Sequence, residues 1–253
     1  MSLQFFLYRR LSRLITCQLR LPGSSKIQLQ NKYEVASFQD VFCHPFYWQI
    51  FSLIETPPAL VVDCGAHCGH FSILADTCFR TKFNSAQTEY LLIEPNPRLM
   101  NIIQTNLRNA ELTPRSRLIQ GLLGVTSGQD VLWVNPKNYL VASLTPSPGL
   151  KPHTVQYVDL EKLVGDRTID LMKVDIEGAE YEFVKQNPSV FRKANLVLFE
   201  LHGTSQTQQD ELFASLQAIG LSPIGKPIES QGNQLIIFQR QLSPSPDESL
   251  CRI

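Results

Sequence analysis

The sequence has no uninterrupted apolar run of about 18 residues, the length that a membrane-spanning helix requires. Its six cysteines are spread over 253 residues, too thinly for the disulfide framework of a small secreted protein. The formal net charge is zero, and the main body carries no basic stripe of the kind that binds nucleic acid. These absences argue against an integral membrane protein, a disulfide-stapled domain and a basic nucleic-acid binder. We expect a cytoplasmic protein.

Charge is distributed unevenly along the chain. The first 32 residues carry six bases and no acid, which leaves 17 bases against 23 acids, a net charge of −6, for the remainder. Apolar side chains of residues 7–15 share one helical face, and arginines cluster beside it. Such a basic amphipathic segment, within residues 1–20, is suited to an anionic membrane surface and predicts a peripheral contact there. A helix packed on the domain and a frayed basic tail are the alternatives.

Strand and helix patterns alternate along the chain, which predicts an α/β fold with a doubly wound sheet. Apolar runs predict strands at 60–62, 89–93, 117–121, 169–174, 195–199, 221–224 and 235–238. Helices are predicted over 33–55, 97–109 and 207–218, and from about residue 178. Short strands within 124–158 predict a small β insertion at the sheet edge. We divide the chain into an N-terminal helical extension (1–55), a main domain (56–240) and a disordered tail rich in proline and serine (241–253).

A glycine turn joins the first predicted strand to a helix, in the order Asp63-Cys-Gly65-Ala-His67-Cys-Gly69. A dinucleotide fingerprint requires a middle glycine at the position of His67, and the Asp63 carboxylate would repel a pyrophosphate. S-adenosylmethionine, with a sulfonium, an ammonium and no phosphate, suits this turn better. Glu94, at the end of the next strand, is placed to accept hydrogen bonds from ribose hydroxyls. The sequence therefore predicts a nucleoside cofactor of net positive charge.

Two other interpretations apply to the same residues. Cys64, His67, Cys68 and His70 are soft metal ligands, but structural zinc sites use two separated ligand pairs and no second pair follows. We expect no metal at this turn. Alternatively, Asp63 caps the following helix and Glu94 is a solvated strand end.

Four motifs together resemble the FkbM family of S-adenosylmethionine-dependent methyltransferases. They are Asp63-Cys-Gly-Ala-His-Cys-Gly69, Ile93-Glu-Pro-Asn-Pro97, Val158-Asp-Leu160 and Asp170-Leu-Met-Lys-Val-Asp-Ile-Glu-Gly-Ala-Glu180, within a match over residues 55–240. The resemblance implies a Rossmann-like class I methyltransferase sheet of seven strands with the last one antiparallel. It implies O-methylation of a hydroxyl on a sugar or glycan, a polyketide or a similar metabolite. Carried over to this chain, it assigns cofactor binding to Asp63, Gly65, His67, Gly69, Glu94 and Asn96.

His67 is the departure from the family pattern, which usually has Asn at this position. A histidine still donates a hydrogen bond, but it is larger and titratable. We therefore expect an altered or pH-dependent affinity for the cofactor.

Methyl transfer to oxygen is an in-line displacement in which the acceptor hydroxyl loses its proton. Asp175 ends the fourth predicted strand and His202 follows the fifth, so both fall on the edge of the sheet over the cofactor. Asp175 is the first candidate for the base or for the group that orients the acceptor, and His202 the second. Lys173 and Glu177 complete the predicted set, because a lysine one strand period before an acid is able to pair with a neighbouring carboxylate. A helix cap at Asp175 and a core histidine at His202 are the alternatives.

Acids near the candidate base allow further interpretations. Glu180 and Glu182 fall in the first turn of a helix, where carboxylates complement the helix dipole, so we assign them no catalytic part. Asp175, Glu177 and Glu200 offer oxygen ligands for a divalent cation that would acidify the hydroxyl. A nicotinamide-dependent oxidoreductase and a non-catalytic cofactor-binding module tethered through the basic N-terminus remain alternatives. We expect a small-molecule or glycan acceptor and no nucleic acid, and no motif specifies the acceptor or the oligomeric state.

Overall fold

A computed structural model describes residues 17–22, 26–84, 87–139, 141–230 and 232–241 of the chain. Most of the predicted amphipathic segment of residues 1–20, and the predicted disordered tail beyond residue 241, lie outside the described residues. Within the described part of the chain, no helix combines the length and the hydropathy that a bilayer-spanning segment needs.

Strands and helices alternate along the chain. The strands are β1 (Cys17–Arg20), β2 (Lys26–Leu29), β3 (Leu60–Cys64), β4 (Glu89–Glu94), β5 (Ser116–Gln120), β6 (Gln129–Val134), β7 (Ala142–Ser143), β8 (Lys151–Gln156), β9 (Ile169–Val174), β10 (Ala194–Leu201), β11 (Leu221–Ser230) and β12 (Asn233–Arg240). The helices are α1 (Lys32–Phe42), α2 (Pro45–Ser52), α3 (His70–Phe83), α4 (Met100–Asn109), α5 (Leu160–Val164), α6 (Glu180–Gln186), α7 (Pro188–Arg192) and α8 (Gln206–Ala218), and a 3₁₀ turn lies at Thr113–Arg115.

Seven strands form the central sheet in the order β11-β12-β10-β9-β3-β4-β5. The strands from β10 to β5 run parallel, and β12 inserts antiparallel between β10 and β11. This arrangement confirms the predicted doubly wound α/β sheet of seven strands with an antiparallel last strand. The carboxyl ends of β3, β4, β9 and β10 meet at one edge, which is where ligands bind in sheets of this kind.

Helices cover both faces of the sheet, so successive strand residues are buried in different cores. Val61 packs with α1 to α4, whereas Val62 packs with α5 to α8. Complete burial on both sides explains why β3 and β9 are nearly continuous apolar runs. The charged exceptions are Asp63, Lys173 and the half-buried Asp170, and the first two are at most 3% exposed.

Three elements differ from the sequence prediction. The N-terminal extension begins, within its described part, with an antiparallel hairpin of β1 and β2 rather than with helix. The predicted helix over 33–55 is two helices, because Pro45 holds His44 in an extended conformation and starts a new helix. The β insertion contains β7 as a third, two-residue strand beside the pair β6 and β8. A strand of two residues is too short to show an alternating pattern.

Candidate active site

The glycine turn after β3 lies against the end of β9. The N–H groups of Gly65 and Ala66 both donate to the Ile93 carbonyl, and Gly65 has a positive φ of +79°. A Cβ on Gly65 would lie 1.7 Å from the carbonyl oxygen of Asp175. Glycine is therefore required here for two reasons, the left-handed backbone and the close approach of another strand.

Glu94 is held by two backbone donors at the neighbouring strand end. Its Oε2 accepts the N–H of His67 at 2.8 Å, and its Oε1 accepts the N–H of Asn96 at 2.8 Å. Burial raises the pKa of Glu94 to about 7, although these two hydrogen bonds act to lower it. A carboxylate has about four lone-pair sites, so Glu94 retains acceptor capacity for two hydroxyl groups.

His67 contacts Glu94 through its backbone N–H, whereas its ring contacts Ser37. Its φ of +49° lies in the left-handed region, where asparagine and histidine are enriched among residues other than glycine. This preference explains why a histidine is tolerated in the turn. Nδ1 of His67 and Nδ1 of His70 each lie 2.9 Å from Oγ of Ser37. Burial lowers the pKa of His67 to about 4, so the ring is neutral at physiological pH and its titration falls below that range.

Asn96 ties the second strand end to the β insertion. Its Nδ2 donates to the carbonyl of Tyr139 at 3.0 Å, and its Oδ1 accepts the N–H of Arg98. Gly69, with a φ of +77°, is the N-cap of α3 and its N–H donates to the Ala66 carbonyl. Gly69 thus shapes the turn without lining either of the cavities at this edge of the sheet.

Lys173 links two carboxylates across the sheet. It is the register partner of Asp63 on the adjacent parallel strand. Its Nζ lies 2.8 Å from Oδ2 of Asp175 and 3.8 Å from Oδ1 of Asp63, and it also donates to the Gly65 carbonyl at 2.9 Å. Although burial acts to lower it, Asp175 and Asp63 raise the pKa of Lys173, which therefore stays charged. The predicted pairing of Lys173 with an acid thus involves two acids.

Asp63 lies behind the wall of the site rather than in it. It is fully buried and accepts a hydrogen bond from Oγ of Ser72 at 2.7 Å. Burial raises the pKa of Asp63, and Lys173 offsets part of that effect. Asp63 therefore does not contact a ligand directly. It acts on the site by orienting Lys173.

His202 is surrounded by carboxylates. Its Nε2 lies 3.7 Å from Asp175 Oδ1, 3.8 Å from Glu177 Oε2 and 3.7 Å from Glu200 Oε1. Burial alone would lower its pKa, but the hydrogen bond to Glu180 and the surrounding carboxylates raise the pKa of His202 to about 9. The imidazole is consequently protonated at neutral pH in the ligand-free protein. The structure brings all four predicted catalytic residues, Lys173, Asp175, Glu177 and His202, to one point.

Glu180 has a positioning role that the sequence interpretation missed. Its side chain is fully buried, accepts hydrogen bonds from the N–H groups of Ile176 and Gly178, and has Oε1 2.9 Å from Nδ1 of His202. A carboxylate that caps its own turn is predictable from an acid at a helix start. Its contact with His202, 22 residues later, depends on how β9 and β10 are paired.

Two cavities meet at this cluster. The first, the insertion-side cavity of about 850 Å³, is bounded by the turn after β3, the loop after β4 and the β insertion. The second, the helix-side cavity of about 1020 Å³, is bounded by α1, α2, the end of β10 and β12. His67, Asp175 and Glu177 line both of them. Molecules in the two cavities would therefore both reach His67, Asp175 and Glu177.

The two cavities differ in lining. Glu94 and Asn96 provide polar groups on one wall of the insertion-side cavity, and leucines line much of the remainder. The helix-side cavity is lined mainly by polar groups, among them Asp40, Tyr47 and Asn233. Tyr47 Oη donates to Oε2 of Glu200 at 3.3 Å. Tyr47, Phe46 and Phe51 of α2 all belong to the core, and Tyr47 also lines this cavity.

One family model and several solved structures are similar to this chain. A family model described as the methyltransferase FkbM domain matches residues 63–221. Similar solved structures include a precorrin-6y methyltransferase from Geobacter metallireducens, with 13% identity, coverage of 77% of this chain and 88% of that one, and a TM-score of 0.47. TrmK of M. capricolum in complex with S-adenosylhomocysteine has 12% identity, coverage of 77% and 67%, and a TM-score of 0.46. A ribosomal protein L11 methylase from Lactobacillus delbrueckii subsp. bulgaricus has 13% identity, coverage of 78% and 77%, and a TM-score of 0.46. A comparison with curated proteins gave no significant match.

Proposed function

The chain belongs to the FkbM methyltransferase family, and on that premise we propose that it transfers a methyl group from S-adenosylmethionine to a hydroxyl group of a sugar, glycan, polyketide or similar metabolite. Family membership also removes the support for a nicotinamide-dependent oxidoreductase. The meeting of the two cavities at Asp175 is the observation that carries the proposal. It allows a cofactor and an acceptor to approach one carboxylate from opposite sides.

The insertion-side cavity suits the cofactor. Glu94 stands at the end of the strand next to the glycine turn, where the acid of nucleotide-binding βαβ units accepts the ribose hydroxyls. The leucines on the other wall suit a purine ring, which is largely apolar on its faces. When bound, S-adenosylmethionine supplies an electrophilic methyl group on a sulfonium.

Asp175 is our candidate for the group that accepts the proton of the acceptor hydroxyl. Lys173 occupies Oδ2 of this carboxylate, so Oδ1 is directed to the space near His202. His202 is already protonated at neutral pH and cannot take a second proton. Its positive charge instead stabilises the carboxylates around it, and it gains basicity only as the pH approaches about 9.

The helix-side cavity favours a neutral acceptor rich in hydroxyl groups. Its lining includes the acids Asp40, Asp175, Glu177 and Glu200 against two cations, Lys173 and the protonated His202, so acids remain in excess. An excess of carboxylates repels phosphate groups, which disfavours phosphorylated acceptors and nucleic acids. Tyr47, Asn233 and the carboxylates are suited to hydrogen bonds with a polyol.

A two-part experiment tests this proposal. Isothermal titration calorimetry should show that S-adenosylhomocysteine binds the wild-type chain and the Asp175→Asn variant, and binds Glu94→Ala at least tenfold more weakly. Methyl transfer should then be followed by mass spectrometry with trideuteromethyl-labelled S-adenosylmethionine, using panels of neutral glycans, polyketides and metabolite extracts. We expect Asp175→Asn to keep the cofactor affinity and to lose at least 100-fold in turnover.

Glu182→Gln is the matched control, because Glu182 is an exposed acid of α6 that lines neither cavity. It should behave as wild type in both measurements. Absence of S-adenosylhomocysteine binding in the wild-type chain would contradict the proposed cofactor. Full turnover in Asp175→Asn would contradict the assigned base.

A further inference from the structure

Three carboxylates lie near Nε2 of His202, at distances too long for hydrogen bonds. The three distances from Nε2, to Asp175, Glu177 and Glu200, are 3.7, 3.8 and 3.7 Å. A hydrogen bond between N–H and oxygen has a separation of about 2.7–3.2 Å. Side chains from two strand ends therefore surround Nε2 of His202 as ion-pair partners without a hydrogen bond to it.

These distances match a shared metal ion. Ligand atoms that each lie about 2.1 Å from one octahedral ion are about 3.0 Å apart when adjacent and about 4.2 Å apart when opposite. The distances from Nε2 of His202 to Asp175 and Glu177 fall inside this interval, and one ligand atom each from Asp175, Glu177 and His202 lies within 4.8 Å of the others. Among the described residues, this is the group of His, Cys, Asp and Glu side chains that is arranged in this way.

The orientation of the imidazole is independent support for a metal. Nδ1 of His202 contacts Glu180, a fully buried carboxylate that two backbone N–H groups also hold in place. A metal-ligating histidine commonly has its other ring nitrogen on a carboxylate in this way, which fixes the ring and directs the remaining nitrogen at the ion. Nε2 is thus the nitrogen that faces the three acids.

We propose that Asp175, Glu177 and His202 bind one divalent cation of the Mn²⁺ and Mg²⁺ class, which takes the place of the proton on Nε2, with Glu180 orienting His202. Two carboxylates and one imidazole form a mainly hard oxygen donor set, which suits these ions better than a thiolate-preferring metal. The charge of Lys173, on the other side of Asp175, would repel the cation. Lys173 is also paired with Asp63, which reduces this repulsion. The oxygens Oδ1 of Asp175, Oε2 of Glu177 and Oε1 of Glu200 keep the local charge negative.

The position of this site defines its consequence for catalysis, which rests on the proposed function. Asp175 and Glu177 line both cavities, whereas Glu200 and His202 line the helix-side cavity. A cation there would contact the hydroxyl of an acceptor and lower its pKa, while the carboxylate of Asp175 keeps a free lone pair for the hydroxyl proton. A second hydroxyl on the adjacent carbon would complete a chelate, so the proposed cation would favour acceptors with a vicinal diol.

Mn²⁺ binding tests the site without any substrate. The full-length chain is freed of metal with EDTA, the chelator is removed, and Mn²⁺ is titrated while electron paramagnetic resonance reports the free ion. We expect one Mn²⁺ per chain, displaced by excess Mg²⁺. Glu177→Gln and His202→Gln should each weaken binding at least tenfold. The Glu177 side chain is 73% exposed, so its replacement should leave the fold intact.

Glu182→Gln removes the same charge from the same loop-helix segment outside the cavities and should leave Mn²⁺ binding unchanged. Glu180→Gln should weaken it by about 10–100-fold, the usual effect of removing an outer-shell partner. Three results would each overturn the proposal. They are the absence of bound Mn²⁺, an equal Mn²⁺ affinity in Glu177→Gln and Glu182→Gln, and the failure of Mg²⁺ to compete. Methyl transfer in a chain that binds no Mn²⁺ would overturn the cation site alone, whereas Mn²⁺ binding without S-adenosylhomocysteine binding would overturn the proposed function alone.

Discussion

Replacement of Gly65 by alanine separates the two reasons for glycine in the turn after β3. Gly65 and Gly69 have nearly the same backbone conformation, with φ of +79° and +77°. They differ in what a Cβ would meet. At Gly65 it would lie 1.7 Å from the Asp175 carbonyl oxygen, whereas at Gly69 the nearest atom is Cγ2 of Ile103 at 3.3 Å. The pair Gly65→Ala and Gly69→Ala therefore shares the conformational cost and differs in the steric one.

The magnitudes follow from these distances. The left-handed conformation costs an alanine about 1–2 kcal/mol at either position. At Gly69 a side-chain methyl has to move only a few tenths of an ångström. At Gly65 the backbone of Asp175 has to move until the contact exceeds 3.0 Å. Such overpacking typically costs about 1–3 kcal/mol. The move also strains the hydrogen bond from the Asp175 N–H to the Cys64 carbonyl, worth about 1 kcal/mol.

We therefore expect Gly65→Ala to lower the free energy of unfolding by about 2–4 kcal/mol more than Gly69→Ala does. Urea denaturation followed by circular dichroism measures both values. S-adenosylhomocysteine affinity should fall in Gly65→Ala and change little in Gly69→Ala, because Gly65 and the displaced Asp175 line the insertion-side cavity and Gly69 does not. Equal destabilisation by the two variants would refute the close approach of β3 and β9 at this turn.

Two further predictions concern buried charges. Burial raises the pKa of Glu94 from 4.5 in the unfolded chain to about 7, so the folded protein binds the extra proton between these values and loses stability as the pH rises through them. Urea denaturation of wild type and Glu94→Gln measures the difference in their free energies of unfolding. This difference should fall by up to about 3 kcal/mol between pH 4.5 and 7. A difference that does not change with pH would contradict the prediction. Lys173→Met leaves the buried Asp63 carboxylate without its cation and should destabilise the chain by about 3–5 kcal/mol. The double variant Lys173→Met/Asp63→Asn should recover part of that loss, and thermal unfolding showing no recovery would argue against the pairing.

Much of the fold was predictable because its signals are local. The buried strands β3, β4, β9 and β10 are apolar runs that end at an acid or a lysine-acid pair, and these patterns require no knowledge of the partners. The start of α8 was within one residue of the prediction, and Ser205 and Gln208 form a capping box there. The seven-stranded order with its reversed strand followed from the family resemblance rather than from any local pattern.

The departures have equally physical causes. Pro45 ends one helix and begins another, which an apolar stripe running through both segments concealed. The hairpin of β1 and β2 has only four residues in each strand, and its pattern is short enough to resemble part of an amphipathic helix. Asp63 was expected to face the ligand, but Lys173 lies beside it in the register of the sheet and both are buried.

The amino-acid sequence alone determined the strand-turn-helix unit at Asp63 to Gly69, because a left-handed backbone and a buried apolar strand restrict the residues at each position independently of distant contacts. It also placed Asp175 and His202 at the same edge of a sheet. Only the tertiary structure decided that Glu180 holds the imidazole of His202 at 2.9 Å and that Asp175 and Glu177 lie at 3.7 and 3.8 Å from it. This arrangement depends on the pairing of β9 with β10, which joins residues more than 20 positions apart and leaves no periodic trace in the sequence.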